Sequence, residues 1–141
     1  MTRFYDIDDA NDALPEIERI LLGLRDQRAD LIRLRDTVVA HEGGRTDDGG
    51  RSDGPAGTAT ADIRTLRLRM QGLIDQMQAG VAQLVDRDVT LREIETGLID
   101  FAALAGGRQI WLCWRLGEGE IAWWHELSEG FAGRRRLEDL T

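Results

Sequence analysis

From Pro15 to about His41 the apolar residues Ile17, Ile20, Leu21, Leu24, Leu31, Ile32, Leu34, Val38 and Val39 recur mostly in steps of three and four. That spacing places most of them on one face of a helix. Gln27 and Arg28 interrupt the stripe, while Glu18, Arg19, Asp30 and Arg33 occupy other faces, as on a solvated amphipathic helix. Leu14 precedes a proline and is pushed out of the α region. The pattern therefore predicts a short first turn near 7–13, with Asp6 as N-cap, and then a long helix with Pro15 at its first position. A second helix is predicted from about Ala59 to Val85. Its seam of Ile63, Leu66, Met70, Leu73, Met77, Val81 and Leu84 is close to a heptad pattern. Gly72 and Gly80 weaken that helix by up to ~1 kcal/mol each relative to alanine, and close helix contact is the predicted compensation. The methionines read as core filler.

Between the two helices, residues 43–57 hold six glycines and no large apolar side chain. Such a stretch cannot bury enough surface to offset its ordering entropy and reads as a flexible linker. A phosphate-binding loop is the sharper alternative, but no strand precedes it and no Gly-Lys-Ser/Thr follows. Two helices of roughly 26 residues, about 39 Å long, joined in this way are expected to form an antiparallel, coiled-coil-like hairpin. A hairpin alone encloses no core, so a second copy is the expected partner, giving a homodimeric four-helix arrangement.

After Asp86 the period changes from helical to alternating. Val89 and Leu91 alternate with Thr90 and Arg92. Ile110, Leu112, Trp114 and Leu116 alternate with Trp111, Cys113 and Arg115. Gly117-Glu118-Gly119-Glu120 supplies a turn, Ile121 to Glu126 returns as partner strand, and Gly106-Gly107 turns the chain into that hairpin. The reading is an α+β fold: a helical hairpin over 1–87, then a small tryptophan-rich antiparallel meander of about three strands over 88–141, packed with the helices as one domain.

Composition narrows the chemistry. The net charge is −8 across 141 residues, and all eighteen basic residues are arginine. The acidity argues against nucleic acid as the main ligand. The absence of lysine removes Schiff-base, Walker-type and lysine general-base chemistry. No apolar run approaches the ~20 residues of a membrane helix, and the N-terminus lacks an apolar signal region. One cysteine cannot form an internal disulfide, so a cytoplasmic location is expected.

The chemistry-bearing residues cluster in the last third. Cys113 sits among apolar neighbours and reads as a small buried hydrophobe. A reactive thiol would need a base or positive charge nearby, which His125 can supply if residues 111–115 lie opposite 122–126. A one-residue change of register would flip the face. Asp100, between Ile99 and Phe101, points toward an apolar setting where an unpaired carboxylate is costly. His125, Arg115 or Arg134 could satisfy it. Two readings follow: a buried hydrogen bond that fixes the sheet, or a polar pocket in which Asp100 orients His125 and an arginine holds an anion. Arg115, Trp124 and Arg134 are the ligand-binding candidates. His125-Glu126 lacks the second histidine of a metalloprotease helix. A metal site would have to draw on Cys113 and His125 with carboxylates from Asp100, Glu118 or Glu126. Ser128, three residues past His125, is the weakest addition to such a set. Arg134-Arg135-Arg136 reads as a frayed, solvated tail, and the four tryptophans read as core unless Trp111 or Trp123 lies on an open face.

The motifs Gly97-Leu98-Ile99-Asp100-Phe101, Leu112-Cys113-Trp114, Gly117-Glu118, Trp124-His125-Glu126 and Gly130-Phe131-Ala132-Gly133-Arg134, with Asp8-Asp9-Ala10-Asn11 and Leu14-Pro15 near the start, resemble a bacterial family catalogued as domain of unknown function 2203. The resemblance spans essentially the whole chain. It implies a helical hairpin followed by this motif region, and it brings no activity, cofactor or catalytic residue. The expected function is a non-enzymatic homodimeric scaffold or interaction module whose sheet engages a protein partner or small ligand, with no cofactor. The alternative is a small enzyme or metal-binding protein using Asp100, Cys113, His125 and Glu126.

Overall fold

The computed structural model describes the backbone of residues 3–46 and 56–140. Two helices, α1 (Ile7–Thr46) and α2 (Ala56–Asp86), precede a five-stranded antiparallel sheet in sequential order. Its strands are β1 (Val89–Glu93), β2 (Leu98–Ala105), β3 (Arg108–Arg115), β4 (Trp123–His125) and β5 (Arg135–Arg136). The fold is α+β, with five strands where the alternation predicts about three. Of the expected linker 43–57, residues 43–46 continue α1 and 56–57 open α2, and the remainder lies outside the described residues. No helix among the described residues is long and apolar enough to cross a membrane.

The chain forms two compact units, Met1–Arg25 with Ala79–Thr141, and Asp26–Gln78. In the first unit, Asp6 caps α1 as expected, accepting the Asp9 amide at 2.7 Å. Pro15, by contrast, does not start a helix; it lies inside α1. The local preference of Leu14 is overridden because Ala10, Leu14 and Ile17, at helical spacing on either side of the proline, are all buried. Gly80 gives the predicted close contact: a Cβ there would lie 2.9 Å from Leu24 Cδ2.

Two of the strands carry no alternation. β2 is the run Leu-Ile-Asp-Phe-Ala-Ala-Leu-Ala, buried without a break from Ile99 to Ala103, so it lacks the polar-out signature of a one-sided strand. β5 is only two arginines, paired with Trp123 and Trp124; it corrects the frayed-tail reading, since the tryptophan rings give the guanidinium groups a flat platform. Gly106 and Gly107, at φ 59° and 81°, close β2 onto β3 in a two-residue turn. One sheet face carries Ile99, Phe101, Ile110, Leu112, Trp114 and Trp124, all buried. Phe101 meets Tyr5 edge-on at 4.9 Å.

In the second unit, α1 and α2 are bridged by an Arg67–Glu42 ion pair. A groove of about 490 Å³ runs between Asp30, Arg33 and Leu34 on one helix and Arg69, Gly72, Leu73 and Gln76 on the other. Gly72 makes no close contact here: a Cβ would meet nothing within 4 Å.

Candidate functional site

Strand register assembles the site. Asp100 on β2 faces Cys113 on β3, and Trp111 faces His125 while Cys113 faces Trp123 across β3 and β4. Alternation sends Asp100, Cys113 and His125 to the face opposite Phe101 and Leu112. There the His125 imidazole reaches over β3, and its Nε2 lies 3.1 Å from both carboxylate oxygens of Asp100. Asp100 and His125 are each 2% exposed and Cys113 1%.

Partners hold each group in place. The carbonyl of Glu126 lies 2.8 Å from His125 Nδ1; a carbonyl only accepts, so Nδ1 carries the hydrogen and Nε2 turns toward Asp100. Arg92 Nε donates to Asp100 Oδ2 at 2.8 Å, and the Arg92 guanidinium stacks over Trp111 at 5.0 Å. Burial, and then the negative charge of Asp100, push the Cys113 thiol up to about 12, so it is protonated and not a nucleophile in this arrangement.

The structure thus unites Asp100, Cys113 and His125 and disperses the remaining candidates. Glu126 contributes its carbonyl to His125, while its carboxylate pairs with Arg108 at 2.6 Å. Arg115 lies over the Phe131 ring and Trp124 is buried on the other face, its indole N–H donating to the Arg136 carbonyl at 3.2 Å. Arg134 is held between Trp123 and Phe131, 4.6 Å from each ring, and donates to Glu118 Oε2 at 2.5 Å. Ser128 is exposed. The cation on Asp100 is therefore Arg92, not Arg115 or Arg134. Sequence reasoning missed Arg92 because the register shifts between Leu91 and Glu93, a bulge that re-aims the side chain.

Beside the cluster opens a cleft of about 270 Å³, lined by Arg92, Asp100, Cys113, His125, Leu127, Glu129 and Phe131 among others. Glu129 accepts from Arg135 at 3.3 Å through Oε1, whereas its Oε2 is buried without a partner among the described residues. Phe131 is 43% exposed; Trp111 and Trp123, on the same sheet face as the cluster, are half-buried. The donor set (one thiol, one imidazole and one carboxylate, mutually within 4.8 Å) is of a kind that can hold a metal ion.

A family model described as "Uncharacterized conserved protein (DUF2203)" matches residues 3–137. The chain belongs to this family. The match covers both helices and the sheet through β5, so the Asp100–His125 pair and the cleft lie wholly inside the family's extent. No curated protein and no solved structure matches the chain.

Proposed function

We propose that this member of the family is a non-enzymatic interaction module of the cytoplasm that works as a homodimer through the Asp26–Gln78 part of its helices. The observation that carries this reading is the open apolar seam of the Asp26–Gln78 unit. Among its described side chains only Val38 and Ile63 are buried apolar residues, while Leu31, Leu34, Leu66, Met70, Leu73 and Met77 are only partly covered, and Val39 and Leu68 are 59% and 68% exposed. Apolar surface of this extent on paired helices marks an association surface. The groove beside Gly72 carries both signs of charge, in Asp30, Arg33 and Arg69. A two-fold axis can then set each acid against an arginine of the other copy, in a coiled-coil-like four-helix contact. The net charge of −8 supports a protein or small-ligand partner over nucleic acid.

Native mass spectrometry, repeated over a concentration series, tests this. A dimer that dissociates on dilution is expected. Gly72→Gln removes a helix-weakening glycine, and its Cβ meets no atom within 4 Å among the described residues, so it is expected to fold well while wedging the groove open and weakening the dimer. A wild-type chain that stays monomeric at every concentration rejects the reading.

The alternative, a small enzyme using Asp100, Cys113, His125 and Glu126, asks for an imidazole that substrate can reach. His125 at 2% exposure and Glu126 engaged by Arg108 weigh toward a structural or binding role for the cluster.

A further inference from the structure

We propose that Asp100, Cys113 and His125 bind one zinc-class divalent cation, with Glu129 as the fourth donor. Four observations lead there, each independent of the association reading. The first is the orientation of His125. With Nδ1–H committed to the Glu126 carbonyl at 2.8 Å, Nε2 is the ring atom that faces the two carboxylate oxygens, each 3.1 Å away. A nitrogen and two carboxylate oxygens held that close in a buried site share one positive centre, a proton in the metal-free protein and a metal ion when one is bound. A carbonyl fixing the outer nitrogen of a histidine is also the usual outer-shell support for a metal on the inner one.

The second observation is the donor geometry. The three donor atoms lie within 4.8 Å of one another. Ligands at tetrahedral zinc distances stand roughly 3.3–3.8 Å apart, so small side-chain rotations close the site. The third is charge. Carboxylate and thiolate together neutralise a divalent ion, and Arg92 binds Asp100 through Oδ2, which keeps the guanidinium off Oδ1 while offsetting the added Glu129 charge. A thiolate and an imidazole select zinc or cobalt over magnesium or calcium. The fourth observation is Glu129 itself. Its Oε2 is buried without a partner among the described residues, and the residue lines the same cleft as the three donors. That oxygen lies beside Gly133, where a Cβ would be 2.7 Å away. To act as fourth donor the Glu129 side chain would turn from this position toward the cluster. In the metal-bound state the thiol proton of Cys113 leaves to solvent as the sulfur–metal bond forms; no redox change is involved.

Cobalt(II), titrated into the purified full-length chain, is the probe. Cys113 is the only cysteine, so a thiolate-to-cobalt charge-transfer band can come from no other residue, and the wild-type protein assigns it without any variant. The expected result is that band at one equivalent per chain, with the strong visible bands of four-coordinate cobalt, and displacement by zinc(II). Cobalt binding without the thiolate band, or no binding, overturns the site. Cys113→Ser is expected to abolish the band and His41→Ala to leave it intact. Glu129→Gln is expected to keep the thiolate band, alter the visible bands and weaken binding. An unchanged Glu129→Gln titration overturns the four-donor site. Arg92→Gln is expected to weaken binding by about 10–100-fold, the range for an outer-shell partner.

Discussion

At position 97 the chain accepts only glycine. Its φ is +66°, and a Cβ would lie 2.4 Å from Leu116 Cγ and Cδ1. Gly97→Ala combines a left-handed backbone cost of about 1–2 kcal/mol with overpacking worth about 1–3 kcal/mol. A loss of at least ~2 kcal/mol in urea denaturation is expected. Gly106→Ala, at φ +59° with nothing within 4 Å, is expected to cost only the backbone part. Cys113 sets a pH dependence in the metal-free protein. Its thiol ionises near 9.0 in the unfolded chain and at about 12 in the folded one, so the unfolded state releases the proton first. The stabilisation is complete below pH 9.0 and is lost as pH rises toward 12. Urea midpoints measured from pH 8 upward are expected to fall more steeply for the wild type than for Cys113→Ala; parallel curves would contradict the assignment.

Among the elements, α1 shows how packing overrules a local signal. Pro15 is exposed and inside the helix, where it removes one backbone hydrogen bond and crowds the preceding turn. Pro15→Ala is therefore expected to stabilise the chain, by about 1 kcal/mol or more, because the exposed ring takes no part in the core; an unchanged or lower melting temperature would refute this. The strand β2 is the least legible element. Its apolar run has no period, and a run of that kind fits a buried helix segment as well as a two-sided buried strand. The flanking Gly97 and Gly106-Gly107 are the usable signal. Phe101 at its centre is fully buried, and Phe101→Ala is expected to cost about 3–5 kcal/mol.

For the molecule as a whole, the division of labour follows burial. The first unit holds the buried side chains of the sheet, the start of α1 and Leu84 of α2. The second holds helices whose apolar seam stays partly open. A dimer formed through that seam would make the melting temperature rise with protein concentration. Gly72→Gln is expected to flatten that dependence, and calorimetry over a concentration series checks it.

The sequence by itself determined the two helices, the Asp6 cap and the Gly106-Gly107 turn, because helical period, capping and turn chemistry are encoded within a few residues of one another. It also marked Asp100 as a carboxylate in apolar company that would need a partner. Only the tertiary structure decided which partner. Asp100 and His125 stand on strands separated by β3, and Arg92 reaches them from a bulge on β1. Such a meeting depends on register, bulge position and side-chain reach summed over four strands, and no local pattern in the chain carries that sum.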